Sequence, residues 1–370
     1  MNTPGAATSR STDQPDVSAL RGALERMRQA QRKRPAPTAD ERIGALDRLE
    51  RALLARKDAV TAAISRDFGN RSTHESLAGE VLVVLGAARH AKAHVRDWME
   101  PEERDVNWMF LPSTARVVPQ PAGVVGIISA WNYPVQLALS PLVSALAAGN
   151  RAMIKPSELV PNTTAVLRAM IGEAFADDEV AVIEGGPEVG DAFARLPFDH
   201  LLFTGSTRIG KLVMRAASEN LVPVTLELGG KSPAIVGEGF PPRAAAERIM
   251  TGKLFSAGQT CIAPDYVLVA EPARDAFVEA CRACASRMYP TLRDNPDYTS
   301  IITDAHLARL RRLVDDAKEK GARVVEVNPA AESLQGTRKL PPTLVLDVDE
   351  EMLVSQEEIF GPILAVRSYR

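Results

Sequence analysis

The spacing of apolar and polar residues changes along the chain, and the change predicts two kinds of organisation. In the first hundred residues, apolar positions recur at helical intervals, which predicts helices over residues 19–32, 38–66 and 75–98. Thr38 and Glu41 have the spacing of a capping box at the start of the second helix. Residues 106–119 form a strand-like run around prolines, and we predict a hairpin there.

From Val124 onwards, short apolar runs alternate with helical stretches. The predicted strands cover residues 124–128, 152–155, 180–183, 200–204 and 222–228, and helices at 163–175, 189–195 and 208–220 separate most of them. This alternation is typical of a doubly wound parallel sheet. After Glu227 the alternation is less regular, with strands at 234–236 and 266–269 and helices at 243–255 and 274–288. We therefore predict an α/β protein with a doubly wound domain at 18–226 and a second α/β domain at 227–370.

Composition and charge narrow the class of protein. The 370 residues are 45% hydrophobic, enough to bury the cores of two domains. The net charge is −3 and no basic patch stands out, which makes nucleic acid and anionic membranes poor partners. Three cysteines do not make a disulfide framework and indicate a reducing, cytoplasmic compartment. Residues 1–17 are polar and rich in Ser, Thr, Pro and Ala, so we predict a disordered leader.

One uncharged run, residues 117–150, is long enough to span a bilayer. Four prolines together with glycines and polar residues divide it into short pieces. Buried strands and helices of an α/β protein give the same pattern, and this is the interpretation that we adopt.

Two segments that follow predicted strands contain groups suited to a nucleotide. Lys155 and Glu158 come directly after one strand, where ligands of parallel sheets bind, and both can contact ribose hydroxyls; a solvated helix start is the alternative. The turn after strand 200–204 can bring backbone N–H groups and a helix N-terminus towards a phosphate, although an ordinary strand–helix turn looks alike. Its residues are Gly205, Ser206, Thr207, Arg208, Ile209 and Gly210.

Three further residues suit acyl-transfer chemistry. Cys261 lies in a turn of small polar residues, which argues against a cysteine packed among apolar side chains. Glu227 lies near the end of a strand, before Gly229 and Gly230. It could activate the water that releases an acyl intermediate, contact a ribose or a nucleotide base, or be a buried salt-bridge partner. Asn132 follows the strand at 124–128; its amide could stabilise an oxyanion, or the residue could simply form a turn.

The remaining cysteines and the histidines do not predict a metal site. Cys281 and Cys284 form a CxxC pair inside an amphipathic helix without a second ligand pair, so we interpret them as packing residues. His90 and His94 are spaced i, i+4 among Ala, Lys and Arg without a third ligand, which favours a surface helix. We therefore expect no metal.

Six segments, in order along the chain, resemble the motifs of the aldehyde dehydrogenase superfamily. They are residues 130–134, 155–158, 203–206, 227–231, 258–261 and 357–362, and the resemblance extends from about residue 20 to the end. Residues 261–266 and 223–225 are similar to the class 3 branch and to bacterial coniferyl aldehyde dehydrogenases. The resemblance implies NAD(P)-dependent oxidation of an aromatic or medium- to long-chain aldehyde, a small-molecule substrate.

The resemblance also implies roles for individual residues. Cys261 would attack the aldehyde to give a thiohemiacetal, whose oxyanion Asn132 and the backbone N–H of Cys261 would hold. Glu227 would activate the water that releases the acid from the thioester.

The resemblance implies NAD as the cofactor, with NADP possible. Lys155 and Glu158 would hold the adenosine ribose, Ser206 the pyrophosphate, and Glu358 the nicotinamide ribose. Phe360 would pack near that ribose, and Trp131 is a further cofactor-site candidate. Because the Glu158 carboxylate would repel a 2′-phosphate, we expect NAD to be preferred.

Three other functions are compared with this one. A CoA-acylating relative generally lacks the base, so Glu227 argues against it. A thiol esterase would not need Lys155 and Glu158. A non-catalytic member of the fold would be expected to have lost Cys261 or Glu227.

Family members continue well beyond Arg370. We therefore expect the catalytic domain to be incomplete at its C-terminus, with the last strand, residues 363–367, leaving part of the sheet without neighbours. The complete protein is expected to be a homodimer, whereas the activity and dimerisation of this chain are in question.

Overall fold

Helices form the first part of the protein in the computed structural model, which describes residues 17–370. They are α1 (Val17–Lys33), α2 (Ala39–Phe68), α3 (Thr73–Ser76) and α4 (Leu82–Trp98). The predicted capping box begins α2: the Thr38 hydroxyl accepts the Glu41 N–H, and the Glu41 carboxylate accepts the Thr38 N–H at 2.8 Å. A π-helical turn, Leu77–Val81, joins α3 to α4. The expected leader lies outside the described residues, except for Val17.

Two short antiparallel strands, β1 (Glu102–Arg104) and β2 (Ala115–Val117), form a hairpin that overlaps the predicted run at 106–119, although its first strand lies before that run. A 3₁₀ turn, Trp108–Phe110, lies between them. The tip of the hairpin exposes four large apolar side chains, those of Trp108, Met109, Phe110 and Leu111.

The first main sheet is parallel and its strand order reverses once. Its strands are β3 (Val124–Ile128), β4 (Arg151–Lys155), β5 (Val180–Val182), β6 (His200–Gly205) and β7 (Val224–Leu228). The order across the sheet is β5-β4-β3-β6-β7. The chain therefore adds β4 and β5 on one side of β3 and then returns to add β6 and β7 on the other. Sheets of this kind bind ligands at the reversal, beyond the carboxyl ends of β3 and β6.

Helices cover both faces of this sheet. The connecting helices are α5 (Gln136–Ala147), α6 (Pro161–Ala174), α7 (Pro187–Ala194) and α8 (Thr207–Ser218). On one face, buried side chains of α2, α4, α5 and α6 pack on Ile127 and Ile154. On the other, those of α1, α7 and α8 pack on Met153 and Leu201. The predicted doubly wound parallel sheet is confirmed.

The second sheet is mixed. Its strands are β8 (Pro233–Val236), β9 (Tyr266–Ala270), β10 (Arg323–Glu326), β11 (Thr343–Leu346) and β12 (Ile363–Tyr369), and its helices are α9 (Pro242–Leu254), α10 (Arg274–Met288), α11 (Asp304–Glu319) and α12 (Leu353–Gln356). The strand order is β10-β11-β12-β9-β8, antiparallel only between β10 and β11. Helices α9 and α10 cover one face and α11 the other. Cys281 and Cys284 are buried in α10, within the first of these two cores.

The last strand, β12, is the central strand of this sheet and pairs with both β11 and β9. One expectation about this region needs correction. The boundary expected between residues 226 and 227 falls inside β7, which pairs with β6 as far as Leu228. Glu227 therefore belongs to the first sheet.

The uncharged run at residues 117–150 folds as β3, an irregular loop and α5, whose core-facing side chains are buried. Over residues 17–370, the helices are all too short or too polar to cross a membrane.

Candidate active site

Loops from the two sheets meet beyond the carboxyl ends of β3 and β7. The Asn132 amide donates to the Gln259 carbonyl at 3.2 Å. This hydrogen bond joins the loop after β3 to the loop that carries Cys261, between α9 and β9. The Gly230 N–H donates to the Glu358 carboxylate at 3.2 Å, which joins the loop after β7 to the segment before β12. These contacts bring together residues of four of the six sequence motifs.

The backbone before Cys261 is strained. Ser256, Ala257 and Gly258 all have left-handed φ values, 52°, 50° and 74°. Non-glycine residues in this conformation cost on the order of 1–3 kcal/mol each and persist only where the surroundings hold them. The turn that presents Cys261 is therefore held by its contacts.

Gln259 supplies several of those contacts. Its side chain is almost fully buried, and its NH2 group donates to the carbonyls of Ser256 and Ser300 at 3.0 Å each. Its side-chain oxygen accepts the Ile302 N–H at 3.0 Å. One polar side chain thus anchors the strained turn to the neighbouring loop and fixes the start of the segment that carries Cys261.

The Cys261 thiol is accessible and carries a raised pKa. The residue is exposed, as the predicted nucleophile must be. Partial burial of its sulfur raises the pKa, and the carboxylates of Glu358 and Glu227 act in the same direction. The backbone N–H groups of Cys261 and Ile262 oppose the shift by favouring the thiolate. The thiol needs a base or a bound cation before it can react fully as a thiolate.

Asn132 is buried, and its side chain points to the cysteine loop. One N–H of its amide donates to the Gln259 carbonyl, two residues before Cys261. An amide has two N–H donors, so a second one remains for a ligand. The neighbouring Tyr133 hydroxyl lies 2.6 Å from the Thr260 hydroxyl, a second link to the same loop.

Glu227 is exposed near the end of β7, opposite Thr204 of β6. Within residues 17–370 no hydrogen bond or ion pair holds its carboxylate, so the buried salt bridge that remained an alternative is not formed. Its charge acts on the Cys261 thiol, which places the two groups within electrostatic range.

Glu358 lies against the two glycines that follow β7. A β-carbon on Gly229 would overlap the Glu358 carboxylate, so only glycine allows this approach. Burial raises the pKa of Glu358, while the Gly230 N–H favours the ionised form. Arg309 donates to the Glu358 carbonyl at 3.0 Å and also to the Ile359 carbonyl.

Lys231 and Asp265 fix the same segment from the other side. Lys231 donates to the carbonyls of Val354 and Glu357 at 2.9 Å each and forms an ion pair with Asp265. The Asp265 carboxylate accepts the Ile359 N–H at 2.8 Å. The position of Glu358 is therefore set on both sides by buried or partly buried charges.

Trp131 and Phe360 belong to one aromatic cluster. Their rings meet edge to face with centroids 5.5 Å apart, and the His306 ring lies 5.0 Å from Trp131 on a similar edge contact. Burial lowers the pKa of His306, with Arg309 acting in the same direction, so the imidazole is neutral at pH 7. Phe360 has a left-handed φ of 53°.

Lys155 and Glu158 form a pair at the end of β4. The Lys155 side chain is buried and its Nζ lies 3.3 Å from the Glu158 carboxylate and 3.0 Å from the Pro156 carbonyl. Glu158 is exposed. A buried cation beside an exposed carboxylate offers a donor and an acceptor at one edge, which suits the vicinal hydroxyls of a ribose.

The predicted phosphate loop begins α8. The Ser206 hydroxyl accepts the Ile209 N–H at 3.4 Å and caps the helix, while Thr207 and Arg208 are exposed. Gly205 and Gly210 serve packing: β-carbons there would lie 2.5 Å from the Phe203 ring and 2.8 Å from the Leu228 side chain. An open helix N-terminus next to an arginine suits an anionic group.

Several residues around this site were missed at the sequence level. His306, Arg309 and Asp265 are the clearest cases, because each acts on a segment far away in the chain. Their residue types alone did not indicate a place in the site, since an arginine on a polar helix face, for example, is usually solvated. In the described part of the chain, no three His, Cys, Asp or Glu side chains are grouped to hold a metal ion.

An accessible thiol, an amide donor and a carboxylate within electrostatic range lie beyond the reversal point of a doubly wound sheet, an arrangement that suits a nucleotide-dependent thiol enzyme. Comparison with known proteins gives the family. Residues 6–370 match the aldehyde dehydrogenase family. The chain belongs to this family, whose members are NAD(P)-dependent enzymes that oxidise aldehydes.

Individual relatives agree with the predicted resemblance. The "Probable coniferyl aldehyde dehydrogenase" of Caulobacter vibrioides is 49% identical over 352 residues, which are 94% of this chain and 73% of that protein. Aldehyde dehydrogenase family 3 member A2 of Rattus norvegicus is 37% identical over 348 residues, 94% of this chain and 70% of that protein. The substrate-bound structure of Staphylococcus aureus AldH has a TM-score of 0.88 at 36% identity and covers 95% of this chain and 75% of its own.

Proposed function

We propose that this chain oxidises aromatic aldehydes of the coniferyl type, with medium- and long-chain aliphatic aldehydes as the wider class. The contact that carries the proposal is the hydrogen bond from the Asn132 amide to the Gln259 carbonyl. It ties an oxyanion donor to the loop of the Cys261 nucleophile. The 49% identity to a relative named for coniferyl aldehyde supports the aromatic substrate.

In the proposed mechanism, Cys261 and Asn132 act first. The Cys261 thiolate forms a bond to the aldehyde carbon, and the carbonyl oxygen becomes the oxyanion of a thiohemiacetal. The free N–H of Asn132 and the backbone N–H of Cys261 hold that oxyanion, and one such donor contributes on the order of 10²–10³ in rate. NAD(P), when bound, supplies the acceptor for the hydride that leaves this carbon.

Loss of the hydride leaves a thioester on Cys261, and Glu227 acts on it. Its unpaired carboxylate takes a proton from water, which attacks the thioester carbon and releases the acid and the thiolate. An exposed carboxylate that has no partner within residues 17–370 is free to move between the sulfur and the incoming water, which suits a base that acts late.

For the cofactor, we assign Lys155 and Glu158 to the adenosine ribose and Glu358 to the nicotinamide ribose. The loop at residues 205–210, with the Ser206 cap of α8, would receive the pyrophosphate. Trp131 and Phe360 would form an aromatic wall beside the nicotinamide. The first sheet and its helices would thus be the NAD-binding domain, and residues after β7 the catalytic domain.

The complete protein is proposed to be a cytoplasmic homodimer. Free cysteines without a disulfide in the described part suit a reducing compartment. Exposed apolar side chains support a self-interface: the hairpin tip, with Trp108 78% exposed, and Leu221 after α8, 89% exposed.

A panel of aldehydes tests the proposed function. Aromatic cinnamyl-type, benzylic and linear aliphatic aldehydes are incubated with NAD, and the reduced cofactor is followed by absorbance. We expect the highest kcat/KM for the cinnamyl-type aldehydes, and Cys261→Ala should bind cofactor but transfer no hydride. A wild-type single-turnover rate in Cys261→Ala would overturn the assignment of the nucleophile.

Glu227→Gln separates the two chemical steps. The variant keeps the shape of the side chain and removes the base, so reduced cofactor should form in a rapid burst followed by a very slow steady state. Equal losses in both phases would instead assign Glu227 a structural role.

A further inference from the structure

We infer that the buried ion pair between Arg71 and Glu80 is the positioning device of the Asn132 oxyanion donor. Neither residue reaches the substrate; both act on the loop that carries Asn132 and Tyr133. The inference rests on the proposed function, in which Asn132 holds the oxyanion.

The pair is completely removed from water. Both side chains have no exposed surface, and the Arg71 Nη1 lies 3.1 Å from a Glu80 oxygen. The same nitrogen donates to the backbone carbonyl of Asn132 at 2.7 Å. The Arg71 guanidinium also lies between two rings, 4.9 Å from the Phe68 centroid and 4.7 Å from the Tyr133 centroid. Arg71 thus holds Asn132 by its backbone and Tyr133 by its ring.

Glu80 holds the far end of the same loop. Its second oxygen accepts the Val135 N–H at 2.9 Å and the Gln136 N–H at 2.8 Å, where α5 begins. The π-helical turn Leu77–Val81 carries Glu80 in this place, and a β-carbon on Gly79 would approach the Tyr133 ring to 2.9 Å. The two charged side chains therefore hold the Asn132 loop by hydrogen bonds on both sides of Pro134.

The arrangement is a poor one for stability alone. Nε and Nη2 of Arg71 are buried and have no hydrogen-bond partner within residues 17–370. Burial also raises the pKa of Glu80, which means that its charge is disfavoured there. Apolar residues of similar size often replace such a pair without loss of stability. An apolar pair would not supply the directional hydrogen bonds to the backbone of Asn132, Val135 and Gln136.

These bonds determine where the free N–H of Asn132 points. The Asn132 side-chain amide is fixed by its hydrogen bond to the Gln259 carbonyl, and the Asn132 backbone carbonyl is fixed by the hydrogen bond from Arg71. An oxyanion donor acts only when it lies about 2.7–3.1 Å from the developing charge. A displacement of about 1 Å at such a site costs up to about 10²-fold in rate.

A double-mutant cycle tests the inference in the full chain. The single-turnover rate of reduced-cofactor formation is measured for wild type, Arg71→Met, Asn132→Ala and the double variant. We expect Asn132→Ala to lose on the order of 10²–10³. Arg71→Met should lose up to about 10² in the wild-type background but no more than about twofold in the Asn132→Ala background, within the error of additivity. Affinity for NAD should be unchanged.

The matched control is Arg48→Met. Arg48 also pairs with a glutamate, Glu179, donates to a carbonyl and lies 5.0 Å from a phenylalanine ring, but it is remote from Asn132. It should change the unfolding midpoint without changing the single-turnover rate.

Equal losses from Arg71→Met in both backgrounds would overturn the inference, because a purely structural role is independent of Asn132. If Arg71→Met does not fold, the cycle is repeated with Arg71→Lys, which keeps the positive charge and removes the forked guanidinium. A loss that disappears in the Asn132→Ala background supports the inference, and an equal loss in both backgrounds overturns it. Failure of the proposed function is distinct: wild type would then transfer no hydride, or Asn132→Ala would transfer it at the wild-type rate.

Discussion

Gly258 lies in direct backbone contact with Gly361, so closely that a β-carbon on Gly258 would overlap the Gly361 carbonyl oxygen. The turn that presents Cys261 therefore rests on the segment that carries Glu358. Cys261 and Glu358, the proposed nucleophile and the proposed ribose ligand, are therefore expected to respond together to a mutation in either loop.

Gly258→Ala should destabilise the protein and abolish activity. The new β-carbon would also lie 3.0 Å from the Lys253 carbonyl, and φ is +74°, so we expect a loss on the order of 3 kcal/mol. Urea unfolding measures the loss of stability, and a single-turnover assay measures the loss of activity. Gly86→Ala is the control, because Gly86 is exposed in α4 with open space around its α-carbon and should gain up to about 1 kcal/mol. A Gly258→Ala variant as stable as wild type would contradict the close contact.

The reactivity of Cys261 should increase with pH over an unusually alkaline range. Its pKa is raised by burial and by the carboxylates of Glu358 and Glu227, so the thiolate fraction grows only above the pH of an ordinary thiol, about 8.5. The rate of iodoacetamide labelling in the absence of cofactor, measured as a function of pH, reports the thiolate fraction of Cys261, and Cys261→Ala gives the background labelling. Glu358→Gln should lower the midpoint, since it removes a negative charge. A wild-type midpoint below that of free cysteine would refute the prediction.

Glu158 is expected to set the preference for NAD over NADP. Its exposed carboxylate would lie beside a 2′-phosphate, and like charges at such a distance are repulsive. Glu158→Gln should lower the ratio of kcat/KM with NAD to that with NADP by roughly tenfold, or about 1.4 kcal/mol. Glu184→Gln, which removes an exposed acid paired with Arg168, should leave the ratio unchanged. A wild-type enzyme faster with NADP would exclude the role.

Lys253 should destabilise the folded protein at neutral pH. It is fully buried, and burial lowers its pKa from 10.5 to about 8, although Asp265 favours its charge. Because the unfolded chain holds the proton more tightly, the cost is complete below about pH 8 and is relieved as pH rises towards 10.5. Lys253→Met should therefore stabilise by roughly 3 kcal/mol at pH 7 and by less than half of that at pH 9.5.

Urea unfolding at the two pH values measures this difference. Lys92→Met is the control, because hydrogen bonds to Asp47 and Glu50 raise the pKa of Lys92, and its removal should not stabilise at either pH. A gain from Lys253→Met that does not shrink with pH would exclude titration as its cause.

Much of the fold could be predicted because parallel strands are short, apolar and separated by amphipathic helices. Helix α5 could not, because its segment has no charges to mark a polar face and contains Pro141. The domain boundary at 226/227 was placed too early, because a charge within an apolar run resembles the end of a strand, whereas Glu227 lies within the paired region of β7.

The candidate catalytic residues lie in compact motifs, and the groups that support them do not. Arg71 acts on Asn132 from 61 positions away and Arg309 on Glu358 from 49 positions away, so no local pattern joins them. Glu80 did give a signal. It precedes Val84 and Ala88 by four and eight positions, so it continues the buried stripe of α4 into the preceding π-helical turn, where an unpaired charge would be costly.

The central place of β12 determines the order in which the site can form. Strand β8 reaches β9 through one helix and β10 reaches β11 as an antiparallel pair, but the two halves join only when β12 enters between them, pairing Ala365 with Tyr266. Closing so long a loop makes this a slow step of folding. The segment of Glu358 leads directly into β12, so the candidate site is complete only once the second sheet has closed around its central strand.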